Sequence, residues 1–255
     1  MIKTGKSDLL TYKIYETREQ MGIAAAAEAA LVIKALLSKK SEINMIFAAA
    51  PSQNEFLYSL IHDKSIDFSR INAFHMDEYI GLPSEAPQGF GNFLKRTIFD
   101  KVAFKSVNTI NTTANDPEKE CERYAALLKS YPCDIVCMGI GENGHIAFND
   151  PHVADFDDKK TVKVVSLDNT CRMQQVNDGC FARIDDVPKY ALTLTIPALI
   201  ASEYIFCIVP AKTKADAVKA TLTGPIDVSC PASILRKHKN AVLYLDTDSA
   251  SNILN

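Results

Sequence analysis

Short apolar segments of strand length alternate along the chain with longer segments in which apolar residues recur at helical spacing. The pattern predicts strands at Leu9 to Tyr15, Asn44 to Ala50, Ile135 to Met138, Thr161 to Ser166, Ala191 to Thr195, Tyr204 to Val209 and Ala241 to Leu245, and a transition from strand to loop at Ile71 to Tyr79. It predicts helices at Thr17 to Leu37, Asn54 to Ile61, Phe90 to Phe99, Pro117 to Ser130 and Lys214 to Leu222. Parallel strands need crossover connections, usually helices, so this alternation predicts an α/β fold: a doubly wound, mainly parallel sheet of the modified Rossmann type with helices on both faces.

No Pro/Gly/Ser-rich linker, charge block or repeat divides the sequence, so residues 1–255 are predicted to form a single domain. The segment 155–186 is polar and rich in Gln, Asn and Asp. Such a composition is typical either of a lid that closes over a site or of an ordinary surface loop.

The net charge, the cysteines and the longest apolar stretch indicate the kind of partner and the cellular location to expect. A formal net charge of -3 is not the excess of positive charge that is typical of nucleic-acid-binding proteins, so we expect a small-molecule partner. The seven cysteines are odd in number and several lie in apolar runs, which favours reduced thiols and a cytoplasmic location. The longest apolar stretch, Met21 to Ile33, contains Glu28 and is expected to be too short to span a membrane.

A glycine-rich loop, Gly139 to Pro151, follows the predicted strand Ile135 to Met138. It holds three of the ten glycines within six residues, and open α/β sheets bind ligands at the carboxyl ends of their strands. His145, preceded by Asn143 and followed by Asp150, is placed there for proton transfer. The backbone at Gly141 and Gly144 is assigned to substrate binding. The alternative is a tight turn with an incidental histidine.

A second motif, Phe74 to Tyr79, places the adjacent carboxylates of Asp77 and Glu78 in an otherwise apolar segment. Burial of a carboxylate is costly unless it is used or paired, so one of the two is a candidate general base. In the alternative interpretation Asp77 caps a helix and Glu78 is solvated. A metal site formed by these carboxylates with His75 and His145 is less favoured, because the sequence lacks the spacing typical of metal ligands.

Together these segments resemble the glucosamine-6-phosphate deaminase/isomerase family. The resemblance covers essentially the whole chain and is carried by Phe74 to Pro83, Gly139 to Pro151, Val187 to Thr193 and Lys212 to Ala215. It implies conversion of glucosamine-6-phosphate to fructose-6-phosphate and ammonia, with no metal or redox cofactor. Galactosamine-6-phosphate deamination, a 6-phosphogluconolactonase activity and a catalytically weak sugar phosphate sensor stay open as alternatives.

The resemblance also implies the role of each residue at the reacting end of the substrate. Asp77 matches the base that moves a proton between C2 and C1, and His145 matches the histidine that opens the sugar ring. Asp150 stands where the family commonly has glutamate, and Asn143 where some members have aspartate. Glu78 and Tyr79 are expected to support the site. Members of the family are monomers, trimers or hexamers, and we expect a homo-oligomer here.

The phosphate end departs from the family pattern. Ala48-Ala49-Ala50-Pro51-Ser52-Gln53 replaces the usual Thr-Gly-Gly-Thr loop, so backbone N–H groups of Ser52 and Gln53 at a helix N-terminus are expected to hold phosphate. Lys214 matches the phosphate lysine of the family. Gln175 stands at the aligned position of its phosphate arginine, and Arg172, one helical turn away, is expected to substitute for it.

Overall fold

The computed structural model describes residues 1–254, which contain eleven strands and seven α-helices. The strands are β1 (Lys3–Ser7), β2 (Leu10–Tyr15), β3 (Ile43–Phe47), β4 (Ile71–His75), β5 (Asp77–Tyr79), β6 (Ser106–Asn108), β7 (Ile135–Met138), β8 (Val162–Ser166), β9 (Tyr190–Leu194), β10 (Tyr204–Val209) and β11 (Ala241–Asp246). The helices are α1 (Arg18–Leu37), α2 (Asn54–His62), α3 (Phe90–Leu94), α4 (Pro117–Ser130), α5 (Asn169–Asn177), α6 (Ile196–Ile200) and α7 (Ala215–Thr223).

Eight strands form the main sheet in the order β1-β2-β11-β10-β7-β3-β4-β6. Every neighbouring pair is parallel except β1 with β2, which forms an antiparallel edge. The predicted doubly wound, mainly parallel sheet is therefore confirmed. The sequence analysis did not identify β1 and β6, the two outermost strands, because they are short and only partly buried.

Alternate residues of the central strands enter two different cores. In β7, Ile135 and Cys137 pack on the face covered by α1 and α2, whereas Val136 and Met138 pack on the face covered by α4 and α7. A parallel sheet covered by helices on both faces needs apolar residues at every position, which is why the central strands read as continuous apolar runs.

Helix α1 begins after Thr17, whose hydroxyl accepts a hydrogen bond from the N–H of Gln20, and it lies against α2 and the sheet. Gly22 allows this close packing, because a Cβ there would lie 2.6 Å from the Cβ of Glu55. The apolar stretch Met21 to Ile33 lies inside α1, and the 20 residues of this helix are long and apolar enough to cross a membrane by length and composition alone. Half of its most apolar window is buried inside the protein, as in the core helix of a soluble domain.

A second sheet of three antiparallel strands, β5-β9-β8, extends from the carboxyl end of β4. It pairs Asp77 with Thr193, which fixes the backbone of the second motif. The segment 155–186 contains β8 and α5, and its movement as a lid stays a prediction. The helix predicted at Phe90 to Phe99 is α3 followed by a π-helical turn, Lys95–Phe99.

Candidate active site

A cleft opens where the carboxyl ends of β10, β7, β3 and β4 meet. After β3 the chain proceeds to its neighbour β4, and after β7 it eventually returns as β10 on the other side. The cleft therefore lies at the point where the strand order reverses, the usual ligand site of open α/β sheets. The loops after these four strands supply its walls, including both motifs that the sequence analysis selected.

Asp77 lines this cleft as the first residue of β5. Its side chain is largely buried, with an exposed fraction of 6% for the residue. Burial, assisted by the charge of Glu78, raises the pKa of the Asp77 carboxyl well above its ordinary value. A carboxylate with a raised pKa that faces a cleft is suited to accept and return a proton.

Glu78 points away from the cleft and organises the chain behind it. Its carboxylate accepts hydrogen bonds from the N–H groups of Tyr79 at 3.0 Å, Phe90 at 2.9 Å and Gly91 at 2.7 Å. The alternative in which Glu78 is solvated and Asp77 caps a helix was therefore wrong. The Tyr79 ring packs on Phe90 and Phe148, which line the cleft, and the supporting role of Glu78 and Tyr79 stays a prediction.

The imidazole of His145 lines the cleft, and its Nδ1 atom is directed into the protein. Nδ1 lies 2.7 Å from Oδ1 of Asn143 and 3.0 Å from Oδ1 of Asp150. Both oxygens are acceptors, because the amide nitrogen of Asn143 is occupied as a donor to Asp150 at 3.0 Å. Nδ1 therefore carries the proton, which leaves Nε2 as the ring atom that can exchange a proton with a ligand.

Asp150 is completely buried and does not line the cleft. Burial alone would raise the pKa of its carboxyl, but hydrogen bonds from His145 and Asn143 and from the N–H of Asp168 outweigh that cost and lower the pKa to about 2. A carboxylate with this pKa is ionised at neutral pH and is placed to stabilise a positive charge on His145. Asn143, which contacts both, orients them.

Two glycines of the loop are required by their surroundings. A Cβ at Gly141 would lie 2.1 Å from a ring atom of His145, so the imidazole occupies the space that a side chain would need. Gly144 has a φ of +82°, and a Cβ there would also lie 2.8 Å from Sγ of Cys230. Gly141 lines the cleft, whereas Gly144 shapes the turn that presents His145.

The far end of the cleft contains Lys214, in the turn Lys212–Lys214 that precedes α7. The residue is 5% exposed, and its Nζ atom has no hydrogen-bond partner among residues 1–254. Burial lowers the pKa of Lys214, while Asp178 and Glu142 oppose that change. A buried ammonium group without a partner is destabilising, so its position favours binding of an anion.

Ser52 and Gln53 lie in the turn that leads into α2. Ser52 lines the cleft. The backbone N–H of Gln53 donates a hydrogen bond to the carbonyl of Ala50 at 2.9 Å. The side-chain amide of Gln53 donates to the carbonyls of Met138 and Ile208. The backbone donor that this turn offers to a ligand is therefore that of Ser52.

Arg172 is not brought into the cleft. Its guanidinium donates to the carbonyl of Ile184 at 2.6 Å and to that of Val187 at 3.0 Å, so it fastens the chain after α5 to that helix. Gln175, by contrast, lines the cleft. The cleft also contains residues that the sequence did not mark as part of the site, among them Arg18, Asp178 and Ala211. No local motif marks them, because each becomes part of the site only through packing of distant segments.

One group of potential metal ligands lies behind the cleft. Ligand atoms of His145, Asp150 and Cys171 lie within 4.8 Å of one another. Nδ1 of His145 is already committed to two oxygen acceptors, and burial raises the pKa of Cys171 well above its usual value, so the trio is suited to hydrogen bonding. The metal set considered from the sequence is not assembled in residues 1–254, because no three of its members, His75, Asp77, Glu78 and His145, bring ligand atoms within 4.8 Å of one another. That the protein needs no metal or redox cofactor stays a prediction.

Comparison with known proteins agrees with the resemblance seen in the motifs. Residues 16–244 match the family model described as glucosamine-6-phosphate isomerases/6-phosphogluconolactonase. The chain is 36% identical to the glucosamine-6-phosphate deaminase of Ligilactobacillus salivarius over 239 residues, which cover 94% of this chain and 98% of that protein. It is also 36% identical to the deaminase of Listeria innocua over 210 residues, or 82% and 88% of the two chains.

Solved structures support the same assignment. A monomeric glucosamine-6-phosphate deaminase superposes with a TM-score of 0.86 at 31% identity, covering 94% of this chain and 99% of the other. The 6-phosphogluconolactonase of Thermotoga maritima shares the fold, with a TM-score of 0.77 at 19% identity over 93% of this chain and 99% of that one. The chain is therefore an enzyme of the glucosamine-6-phosphate isomerase/6-phosphogluconolactonase family.

Proposed function

We propose that this protein converts glucosamine-6-phosphate to fructose-6-phosphate and ammonia. The observation that carries the proposal is the pairing, in one cleft, of a buried carboxylate with a raised pKa, Asp77, and an imidazole whose Nδ1 proton is fixed by Asn143 and Asp150. The names of the relatives support the same reaction.

The reaction begins with ring opening. Nε2 of His145 exchanges a proton with the hydroxyl and ring oxygens of the sugar, and the ionised Asp150 stabilises the imidazolium that forms. Asn143 holds the ring in the orientation that directs Nε2 to the cleft.

The open-chain aldehyde is then isomerised by Asp77. Its carboxylate removes the proton from C2 and returns it to C1, while the amino nitrogen loses a proton and the aldehyde oxygen gains one, which leaves a hydroxyl group at C1 and an imine at C2. One water molecule adds to the imine carbon and ammonia leaves, which gives the ketose phosphate. A single carboxylate serves both transfers because it accepts and returns the same proton, and burial of Asp77 strengthens its basicity.

The sugar phosphate extends toward Lys214, whose unpartnered ammonium and the N–H of Ser52 are directed to the phosphate end. The assignment of glucosamine rather than galactosamine rests on the names of the relatives. The oligomeric state also stays a prediction, to be measured by the mass of the protein in solution.

The test is ammonia release by the purified protein with glucosamine-6-phosphate and galactosamine-6-phosphate in parallel. Asp77→Asn keeps the size of the side chain and removes the base, and we expect it to lower turnover by about a thousandfold, as for loss of a general base. Asp185→Asn, at an exposed position, is the matched control. A faster reaction with the galactosamine compound would reassign the substrate. Absence of ammonia with both, together with hydrolysis of 6-phosphogluconolactone, would contradict the proposal.

A further inference from the structure

Few cationic side chains are available to bind a phosphate group in the cleft. Among the described residues that line the cleft, only Lys214 and Arg18 carry a cationic side chain. Arg172, the expected partner of Lys214, is held by two carbonyl groups elsewhere. Arg18 is therefore the remaining cationic residue of the cleft that could bind phosphate together with Lys214.

Lys214 alone does not give this end of the cleft a positive charge. Asp178 lines the same cleft, and its carboxylate acts on the ammonium of Lys214. A phosphate monoester carries a charge of about -1.5 to -2 at neutral pH. With one lysine and one aspartate at this end of the cleft, such a group needs further N–H donors for favourable binding.

Arg18, the first residue of α1, reaches the loop that is expected to hold the phosphate. Its Nη2 atom donates to the carbonyl of Pro51 at 3.0 Å, and Pro51 directly precedes Ser52. Nε and Nη2 also bind the two carboxylate oxygens of Glu55, at 2.8 and 2.9 Å. Glu55 lies in α2, so the guanidinium is held against the end of the helix whose N-terminus faces the cleft.

The remaining nitrogen of this guanidinium is unoccupied. Nη1 of Arg18 makes no hydrogen bond to any residue from 1 to 254, and 42% of the side chain is exposed. A guanidinium presents five N–H donors in a planar fork that matches phosphate oxygens. Glu55 and Pro51 therefore fix its orientation while leaving donors for a ligand.

We propose that Arg18 is the second cation that binds the phosphate group of the substrate, opposite Lys214. The phosphate arginine of this protein is supplied by α1 rather than by α5, where the sequence analysis expected it. Arg18 is a binding residue that touches the phosphate and takes no part in the proton transfers at C1 and C2. This inference rests on the proposed function for the identity of the substrate, but not for the binding of phosphate itself.

The first test is kinetic and uses Arg18→Gln, which removes the charge and keeps a polar side chain. We expect KM for glucosamine-6-phosphate to rise by about tenfold to a hundredfold, as for loss of a charged hydrogen bond, while kcat changes little. Arg18→Lys retains the charge without the fork and is expected to give an intermediate KM. The matched control is Arg183→Gln, because Arg183 also pairs with a carboxylate, that of Asp186, but does not line the cleft.

The second test separates this inference from the proposed function. Calorimetry measures the binding of inorganic phosphate and of glucose-6-phosphate, neither of which can release ammonia. Weaker binding by Arg18→Gln than by the wild type and Arg183→Gln would support the role of Arg18 even if no amino sugar phosphate is turned over. Unchanged KM and unchanged phosphate binding in Arg18→Gln, with normal folding, would overturn the inference.

Discussion

The histidine network at one end of the cleft and the lysine at the other differ in whether the protein itself supplies their hydrogen-bond partners. At the reacting end, Nδ1 of His145 and both oxygens of Asp150 have partners within 3.2 Å. At the phosphate end, Nζ of Lys214 has no partner in the described chain. The reacting end is organised before substrate arrives, because proton transfer needs a fixed tautomer and geometry. The phosphate end gains its counter-charge from the ligand.

This difference also explains why the sequence departs from the family pattern less at the reacting end, where only Asn143 and Asp150 differ, than at the phosphate end. The reacting end depends on a network of side chains, so His145 cannot be moved or enlarged without loss of its contacts with Asn143 and Asp150. The phosphate end needs only positive charge and N–H donors in reach of an anion. Several arrangements satisfy that need, and the replacement of the glycine-rich loop by Ala48 to Gln53 is one of them.

The largest effect is expected when the reacting end loses its base. Asp77→Asn should lower kcat by about a thousandfold, and it should also stabilise the fold at neutral and alkaline pH. The native pKa of Asp77 is raised, so ionisation of this group costs stability as pH rises above the value in the unfolded chain. The melting temperatures of Asp77→Asn and the wild type at acidic and alkaline pH measure the gain in stability. Equal melting temperatures of the two proteins at every pH would contradict the burial argument.

Breaking the network behind His145 should have a smaller effect on rate. Asp150→Asn is expected to lower kcat by about tenfold to a hundredfold, because the imidazolium loses its counter-charge. It should also cost about 2 kcal/mol of stability at neutral pH, from a pKa lowered to about 2. That contribution exists above the unfolded pKa and disappears as pH falls from about 4 to 2. Denaturant unfolding across this range, with Asp185→Asn as the control, measures it. A constant difference at all pH values would contradict the assignment.

The pH dependence of kcat/KM should report both ends of the cleft. Asp77 must be ionised and its pKa is raised, so the acidic limb should lie above the range of an ordinary carboxylate. Lys214 must be protonated and its pKa is lowered, so the alkaline limb should lie below that of an ordinary lysine. Lys214→Arg should move only the alkaline limb, to higher pH, because arginine keeps its proton. A shift of the acidic limb in this variant would show that the two ends are coupled.

The smallest effect concerns a backbone feature beside Lys214. Ala211 has a φ of +85°, a conformation that favours glycine, and its N–H donates to the carboxylate of Asp246 at 3.1 and 3.2 Å. Ala211→Gly should raise the free energy of unfolding by about 1 kcal/mol, because relief of strain exceeds the added entropy of the unfolded chain. Ala182→Gly, at an exposed position without a positive φ, should be slightly destabilising. A destabilised Ala211→Gly variant would show that the strain is not real.

Local patterns in the sequence predicted much of the fold, because helical and strand periodicities reflect burial of the same residues. The bounds of α4, β7 and β10 agree with the prediction. Strand β5 and the three-stranded sheet escaped prediction, because β5 has only three residues and is stabilised by pairing with β9. Such pairing depends on residues more than a hundred positions away.

The sequence by itself determined the sheet, the two motifs and the presence of Asp77 and His145 at the carboxyl ends of strands, since these follow from short-range order and from a family pattern. The tertiary structure decided which charges share the cleft. It turned Arg172 toward the carbonyls of Ile184 and Val187 and brought Arg18 to the loop before α2. The physical reason is that a long cationic side chain binds whichever acceptors packing places within its reach, and spacing along the chain does not specify them.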